Sequence, residues 1–220
     1  MTFHHVVLVG LSGTGKSTVG PRLARRLDLL YVDTDRRVVE RAGLPIDQVF
    51  ATQGEGAFRA YEREAVRDAV AGPRSIIATG AGAPVDPTNR ALLWEGNAVV
   101  WLDAPLEVLV ARLERSDRPG RERRPLLQDG GAAARLPVLL EARRPIYSSA
   151  HVRVETGVAR PEVVVAEILR LLDSTGSAPR ALTPCPSPGG RGETGKPPPR
   201  RGKFLGALAS AVPPMDPSGP

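Results

Sequence analysis

The residues best suited to chemistry in this chain are Gly10-Leu11-Ser12-Gly13-Thr14-Gly15-Lys16-Ser17, which match the pattern G-x-x-x-x-G-K-[ST]. Glycines at such spacing let consecutive backbone N–H groups turn inward on a polyphosphate, in conformations that a side chain obstructs. Lys16 is spaced to reach β- and γ-phosphates and Ser17 to hold Mg²⁺. The run Val6–Val9 before the loop reads as a buried strand, and the segment after it as a helix. The helix N-terminus adds unpaired N–H groups and the positive end of its dipole. A nucleoside triphosphate is the ligand this arrangement implies. It leaves the phosphate acceptor open.

Further candidates lie where later strands should end. Asp33-Thr34-Asp35 follows the apolar run Leu29–Val32, and in an open parallel sheet ligands sit beyond the carboxyl ends of strands. One carboxylate can serve Mg²⁺ and the other an acceptor hydroxyl, although Asp35 is equally placed to cap a helix over Arg36–Ala42. Arg59 and Glu62 stand three apart on a helical pattern and can pair, by spacing alone most simply as a solvent-facing ion pair. Gly80-Ala81-Gly82 ends a third strand, where backbone can approach a ligand closely. The segment 114–130 has no apolar period and five arginines, the composition of a lid that closes over phosphates, or of a solvated loop.

The elements that must position these residues follow from periodicity. Strands are predicted at Val6–Val9, Leu29–Val32, Ser75–Thr79, Ala98–Leu102 and Val152–Val154. Helices are predicted over Lys16–Leu27, Arg36–Ala42, Pro45–Phe50, Glu55–Ala71, Pro105–Leu113, Leu136–Arg144 and Pro161–Leu172. Pro21 predicts a bend in the first helix, because it removes an N–H from the helical ladder. Trp94 and Trp101 read as packing residues. Five strands alternating with helices predict an α/β three-layer sandwich on a parallel sheet.

Composition sets the boundaries. Of the 220 residues 41% are hydrophobic, enough for a sizeable core, and only 4% are aromatic, so that core is aliphatic. The single Cys185 excludes a disulfide framework or a cysteine zinc site and suits a reducing cytoplasm. No stretch has the length of a membrane span, and residues 1–5 lack the layout of a signal peptide. The net charge of +6 is concentrated at the end: Ser174 onward carries +4, so the rest gives no electrostatic case for a nucleic-acid partner. Residues 174–220 also hold 11 of the 22 prolines, which defeats a packed core. They read as a disordered, dispensable tail behind a domain of residues 1–173. Within the tail, Leu182–Glu193 (LTPCPSPGGRGE) resembles sequence found where bacterial reading frames run into intergenic repeats.

Taken together, GLSGTGKST at 10–18, DTD at 33–35, FRAYE at 58–62, GAG at 80–82, RPLL at 124–127 and RRPIY at 143–147 resemble the shikimate kinase family, in order and over residues 5–172. The resemblance implies a P-loop kinase fold and transfer of phosphate from ATP to shikimate in a monomeric cytoplasmic enzyme. It implies ATP contacts from Gly13, Thr14, Gly15, Lys16, Ser17, Thr18, Arg112, Arg124 and Pro161, with Mg²⁺ held by Ser17 and Asp33. It implies that Asp35 binds the attacking hydroxyl and is the general base. Arg59 and Arg143 would clamp the shikimate carboxylate, Glu62 would orient them, and the N–H groups of Gly80, Ala81 and Gly82 would cradle the substrate. Lys16, Asp35 and Arg124 would be the catalytic set. The family triplet is usually three glycines; with Ala81 in the middle, a positive φ there would be strained.

Two other readings share the phosphate loop. A kinase for gluconate or a nucleoside monophosphate has no reason to pair Arg59 with Arg143 around a carboxylate. A module that binds ATP without transferring phosphate has no need of Asp33, Asp35 and Arg124 together.

Overall fold

Five parallel strands in the order β2-β3-β1-β4-β5 form the central sheet of the computed structural model, which describes residues 3–116 and 131–174. In chain order the elements are β1 (Val6–Val9), α1 (Lys16–Leu27), β2 (Leu30–Asp33), α2 (Thr34–Ala42), α3 (Ile46–Ala71), β3 (Ser75–Ala78), a 3₁₀ turn (Ala83–Val85), α4 (Pro87–Trp94), β4 (Ala98–Asp103), α5 (Leu106–Ser116), α6 (Gly131–Tyr147), β5 (Val152–Glu155) and α7 (Pro161–Ser174). The described residues fall within one compact unit, Met1–Thr183. The lid segment beyond Ser116, with Arg124, and the tail from residue 175 lie outside the described residues.

Strand alternation makes the three layers. Val7 and Val9 of β1 point to one face, where with Ile77 and Trp101 they pack on Val66, Leu93, Leu109, Leu136 and Tyr147 of the helices α3 to α6. Val6 and Leu8 point to the other, against Leu23 of α1 and Ile168 and Leu172 of α7. Buried on both faces, β1, β3 and β4 read as near-continuous apolar runs, as strands of a parallel sheet do. A smaller cluster of Val38, Val49, Phe58 and Ala65 joins α2 to α3 beside the sheet.

The strand at the centre is also where the connections change direction. β1 pairs with β3 on one side and β4 on the other, with Val7 in register with Ile77 and Val99. The crevice past its carboxyl end is therefore the expected ligand site. Among the described residues no helix is long and apolar enough to cross a membrane.

Helix α1 spans Lys16–Leu27 as predicted, with Pro21 inside it. The structure departs from the sequence reading in three places. Helix α2 begins at Thr34, so Asp33, not Asp35, is its cap: Asp33 Oδ1 accepts from the N–H groups of Asp35 (3.1 Å) and Arg36 (3.4 Å). Helix α6 continues through Pro137 and Pro145 to Tyr147, because Leu136, Leu140, Arg143 and Tyr147 form a buried stripe at helical spacing and packing outweighs the lost N–H bonds. Helix α4 was not predicted. Asp86 caps it, accepting from Thr88 and Asn89 N–H at 2.8 and 3.2 Å, with Pro87 in the first turn. The predicted break between Phe50 and Glu55 is present: α3 leaves helical geometry at Gly54, with φ 81° and ψ 172°.

Candidate active site

The phosphate loop joins β1 to α1 across Gly10–Gly15. Gly15, at the helix N-terminus, has φ 95°, and Gly10 has φ 139° with no space for a Cβ against the Leu102 carbonyl. Both conformations belong to glycine. Lys16 is nearly buried, and its ammonium donates to the carbonyls of Gly10 (2.7 Å) and Leu11 (2.9 Å). This holds the charge against the first residues of the loop.

The outer side of the loop is fastened by residues far along the chain. Arg112 on α5 donates to the Gly13 carbonyl (3.0 Å) and to the carbonyls of Thr156 (2.7 Å) and Gly157. Burial, then Arg115, holds the Arg112 pKa below its usual value. The buried Thr156 hydroxyl lies 2.9 Å from the Thr14 carbonyl and 3.1 Å from that of Asp103. In a trans peptide the C=O and N–H point in opposite directions. Fixing the Thr14 carbonyl outward therefore aims the Gly15 N–H to the phosphate side. Thr156 was missed in the sequence, where a lone threonine after a short strand carries no signal. Pro161 opens α7, in the same loop-to-helix connection after β5.

Asp33 ends β2 facing the loop. Its Oδ2 lies 3.4 Å from Ser17 Oγ and accepts from the Tyr31 hydroxyl at 3.0 Å. Burial, together with Asp33, pushes the Tyr31 phenol well above its usual pKa. Ser17 and Asp33 are hard oxygen donors, the type Mg²⁺ selects. Among the described residues there is no group of three or more His, Cys, Asp or Glu that could hold a metal, so a cation here must complete its shell from water and nucleotide.

The acceptor side is assembled from four elements. Arg59 and Glu62 lie on α3, Arg143 on α6, Asp35 on α2, and Gly80-Ala81-Gly82 follows β3. Arg59 Nη1 donates to Glu62 Oε2 at 2.8 Å, and Nη2 to Glu55 at 3.0 Å. This is not the solvated pair that spacing suggested: Glu62 is only 2% exposed. Burial pushes its carboxyl up, against the pull of Arg59 and Arg143. Burial also opposes the Arg59 charge, but Glu62 and Glu55 outweigh it and hold the guanidinium pKa above its ordinary value. A Cβ built on Gly82 would stand 3.1 Å from Arg59 Nη1 and 3.8 Å from Arg143 Nη2, and one on Gly80 would collide with Asp35 Oδ1. Two guanidiniums and one carboxylate thus crowd a single glycine-lined backbone.

The Gly80 N–H donates to the buried Thr34 hydroxyl at 2.9 Å, which braces the loop against α2. The Ala81 carbonyl accepts from Tyr147 at 2.6 Å. Burial pushes the Tyr147 phenol up to about 12, with Arg143 pulling the other way. Ala81 does not have a positive φ, so its Cβ costs no backbone strain. Thr34 and Tyr147 were legible only as members of DTD and RRPIY. Arg124 lies outside the described residues.

The shikimate kinase family model matches residues 12–173. The shikimate kinase of Geobacter sulfurreducens is 44% identical over 164 residues, 74% of this chain and 88% of that protein. That of Symbiobacterium thermophilum is 44% identical over 173 residues, 78% of this chain and 98% of that protein. Among solved structures, shikimate kinase from Acinetobacter baumannii in complex with shikimate superposes with a TM-score of 0.73 at 33% identity, covering 79% of this chain and 95% of that one. The phosphate loop, the DTD strand end and the arginine pair are thus the features of a chain that belongs to the shikimate kinase family.

Proposed function

We propose that this chain transfers the γ-phosphoryl group of ATP to the 3-hydroxyl of shikimate, giving shikimate 3-phosphate and ADP in aromatic amino-acid biosynthesis. The observation that carries the reading is the convergence of Arg59 and Arg143 on Gly82, in the same loop where Gly80 lies against Asp35. Planar guanidiniums suit a carboxylate, and a carboxylate one loop away suits a hydroxyl.

In this reading Gly13, Thr14, Gly15, Lys16, Ser17 and Thr18 hold the phosphates. Arg112 and Pro161 bound the adenine side. Arg59 and Arg143 hold the acid, with Glu62 fixing the Arg59 fork. Ala81 and Gly82 border the sugar-like ring, while Gly80 keeps room for Asp35. Asp35 accepts the proton of the hydroxyl as its oxygen bonds to the γ-phosphorus. The bond to the β–γ bridging oxygen breaks, and its electrons leave on ADP. Such transfer needs alignment and charge stabilisation more than covalent help. Lys16 and Arg124 offset the negative charge that develops on the γ-phosphoryl group, and the lid over 114–130 excludes water that would otherwise hydrolyse ATP. Ser17 and Asp33 would hold Mg²⁺, which when bound would supply positive charge against the phosphates.

The same reading takes residues 1–173 as a monomeric cytoplasmic kinase domain that engages neither nucleic acid nor membrane, and 174–220 as a dispensable tail. A chain ending at Asp173 should keep its solubility and activity. The deciding experiment is ADP release with ATP and Mg²⁺ in the presence of shikimate, gluconate or a nucleoside monophosphate. Stimulation by shikimate alone is expected. Stimulation by another acceptor, or by none, overturns the reading.

A further inference from the structure

Tyr31 and Asp33 lie two apart on β2, so their side chains share a face of the sheet. On that face the Tyr31 ring rests against α1 at Gly20, where a Cβ would collide with the ring edge. Any other residue at position 20 displaces the ring. From this seat the hydroxyl donates to Asp33 Oδ2 at 3.0 Å. The other carboxylate oxygen, Oδ1, is held by the N–H groups of Asp35 and Arg36 in the first turn of α2, which it caps, at 3.1 and 3.4 Å. Ser17 Oγ stands 3.4 Å from Oδ2.

Each oxygen of Asp33 therefore has its own anchor, and the anchors come from different elements. The backbone of α2 fixes Oδ1 but leaves the carboxylate free to pivot about it. The phenol removes that freedom and holds Oδ2 on the Ser17 side. We propose that Tyr31 is a positioning residue for the divalent cation: it fixes Asp33 Oδ2 beside Ser17 for the metal–nucleotide complex, and position 20 is glycine to seat its ring. The proposal rests on the reading of Ser17 and Asp33 as the metal-side residues. Partners that orient a metal-facing carboxylate are worth about 10–100-fold in metal affinity, and the separate anchor on Oδ1 places Tyr31 at the lower end, about tenfold.

The test is calorimetric titration of the full chain with ADP, with and without Mg²⁺, for the wild type, Tyr31→Phe, Gly20→Ala and Asp33→Asn. Phenylalanine keeps the ring seat, and asparagine keeps the α2 cap, so neither change threatens the fold. In Tyr31→Phe the gain in ADP affinity given by Mg²⁺ should fall about tenfold, with Mg²⁺-free ADP affinity and shikimate KM unchanged. Gly20→Ala, which unseats the ring, should weaken the Mg²⁺ dependence in the same direction. If Tyr31→Phe keeps wild-type Mg²⁺ dependence while Asp33→Asn loses it, the role of Tyr31 is overturned and the metal reading stands. If Tyr31→Phe weakens ADP equally with and without Mg²⁺, its role is general packing and the proposal also falls. If Asp33→Asn leaves Mg²⁺ dependence intact, the metal reading itself is wrong.

Discussion

The nucleotide side and the acceptor side of this site are built by opposite means. Gly10–Ser17 is a contiguous stretch whose function lies in backbone conformation, fixed by positive φ at glycines and by the start of α1. The acceptor side has no contiguous stretch. In the proposed reading it is made by Asp35, Arg59 and Arg143 from α2, α3 and α6, whose side chains meet only in the fold, around the glycine-lined loop after β3. The first kind of site is generic, because a phosphate chain looks alike in every nucleotide. The second is specific, because the relative placement of a hydroxyl and a carboxylate differs between acids.

Substitutions can separate the two sides. The largest effect is expected from Asp35→Asn, which removes the proposed base but keeps the shape: kcat should fall about 10²–10⁴-fold while ADP affinity stays level. Gly80→Ala should act through the same group, since its Cβ must push Asp35 aside. A misplacement of about 1 Å costs roughly 10²-fold. Coupled measurement of ADP release gives both, and a loss confined to KM in either variant would break the assignment.

Next in size is Arg143→Lys, which keeps the charge and loses the planar fork. One charge-assisted hydrogen bond is worth about 1.5–3 kcal/mol, so the KM for shikimate should rise about 10–100-fold with the KM for ATP unmoved. An equal rise in both would mean that the sides are not separable. A smaller, mirror-image effect is expected from Thr156→Val. Losing its bond to the Thr14 carbonyl costs about 1 kcal/mol, so ATP affinity should fall about fivefold with shikimate binding intact, and Thr156→Ser should restore it.

The smallest effect concerns the frame beneath both sides. His5 is buried at the amino ends of the strands, where Nδ1 accepts from the Ser75 N–H (3.2 Å) and Nε2 lies 3.0 Å from the Val70 carbonyl. Burial lowers its pKa, helped by His4 and Arg74 and opposed by its hydrogen bonds to Val70 and Ser75. The unfolded chain therefore binds the proton more readily. Stability is complete above the ordinary histidine pKa and is lost as pH falls below it toward the folded value. Thermal unfolding from pH 7.5 to 5 should show this decline, and His5→Gln should flatten it.

Much of the architecture was legible in the sequence. The apolar runs Val6–Val9 and Ser75–Thr79 announced strands, found at Val6–Val9 and Ser75–Ala78, and the order of elements announced a parallel sheet. The helix α4 was passed over although Asp86-Pro87 is a start signal, because its short apolar pattern is weak. Proline was overweighted at 145, where packing of one face of α6 exceeds the cost of a missing N–H bond. In the site, spacing placed Arg59 beside Glu62 but could not show that the carboxylate is buried, which depends on α3 lying under the loop after β3.

By itself the sequence determined the phosphate donor, the strands and the family, because these reside in local patterns: a glycine loop, runs of apolar residues and ordered short motifs. Only the tertiary structure decided how the pieces divide the work. It made Asp33 the helix cap and left Asp35 facing the acceptor side, committed the Gly80 N–H to Thr34, and brought Thr156 to the back of the phosphate loop. A hydrogen bond between residues far apart in the chain has no local signature. It exists because two buried polar groups must find partners once the sheet and helices have closed around them.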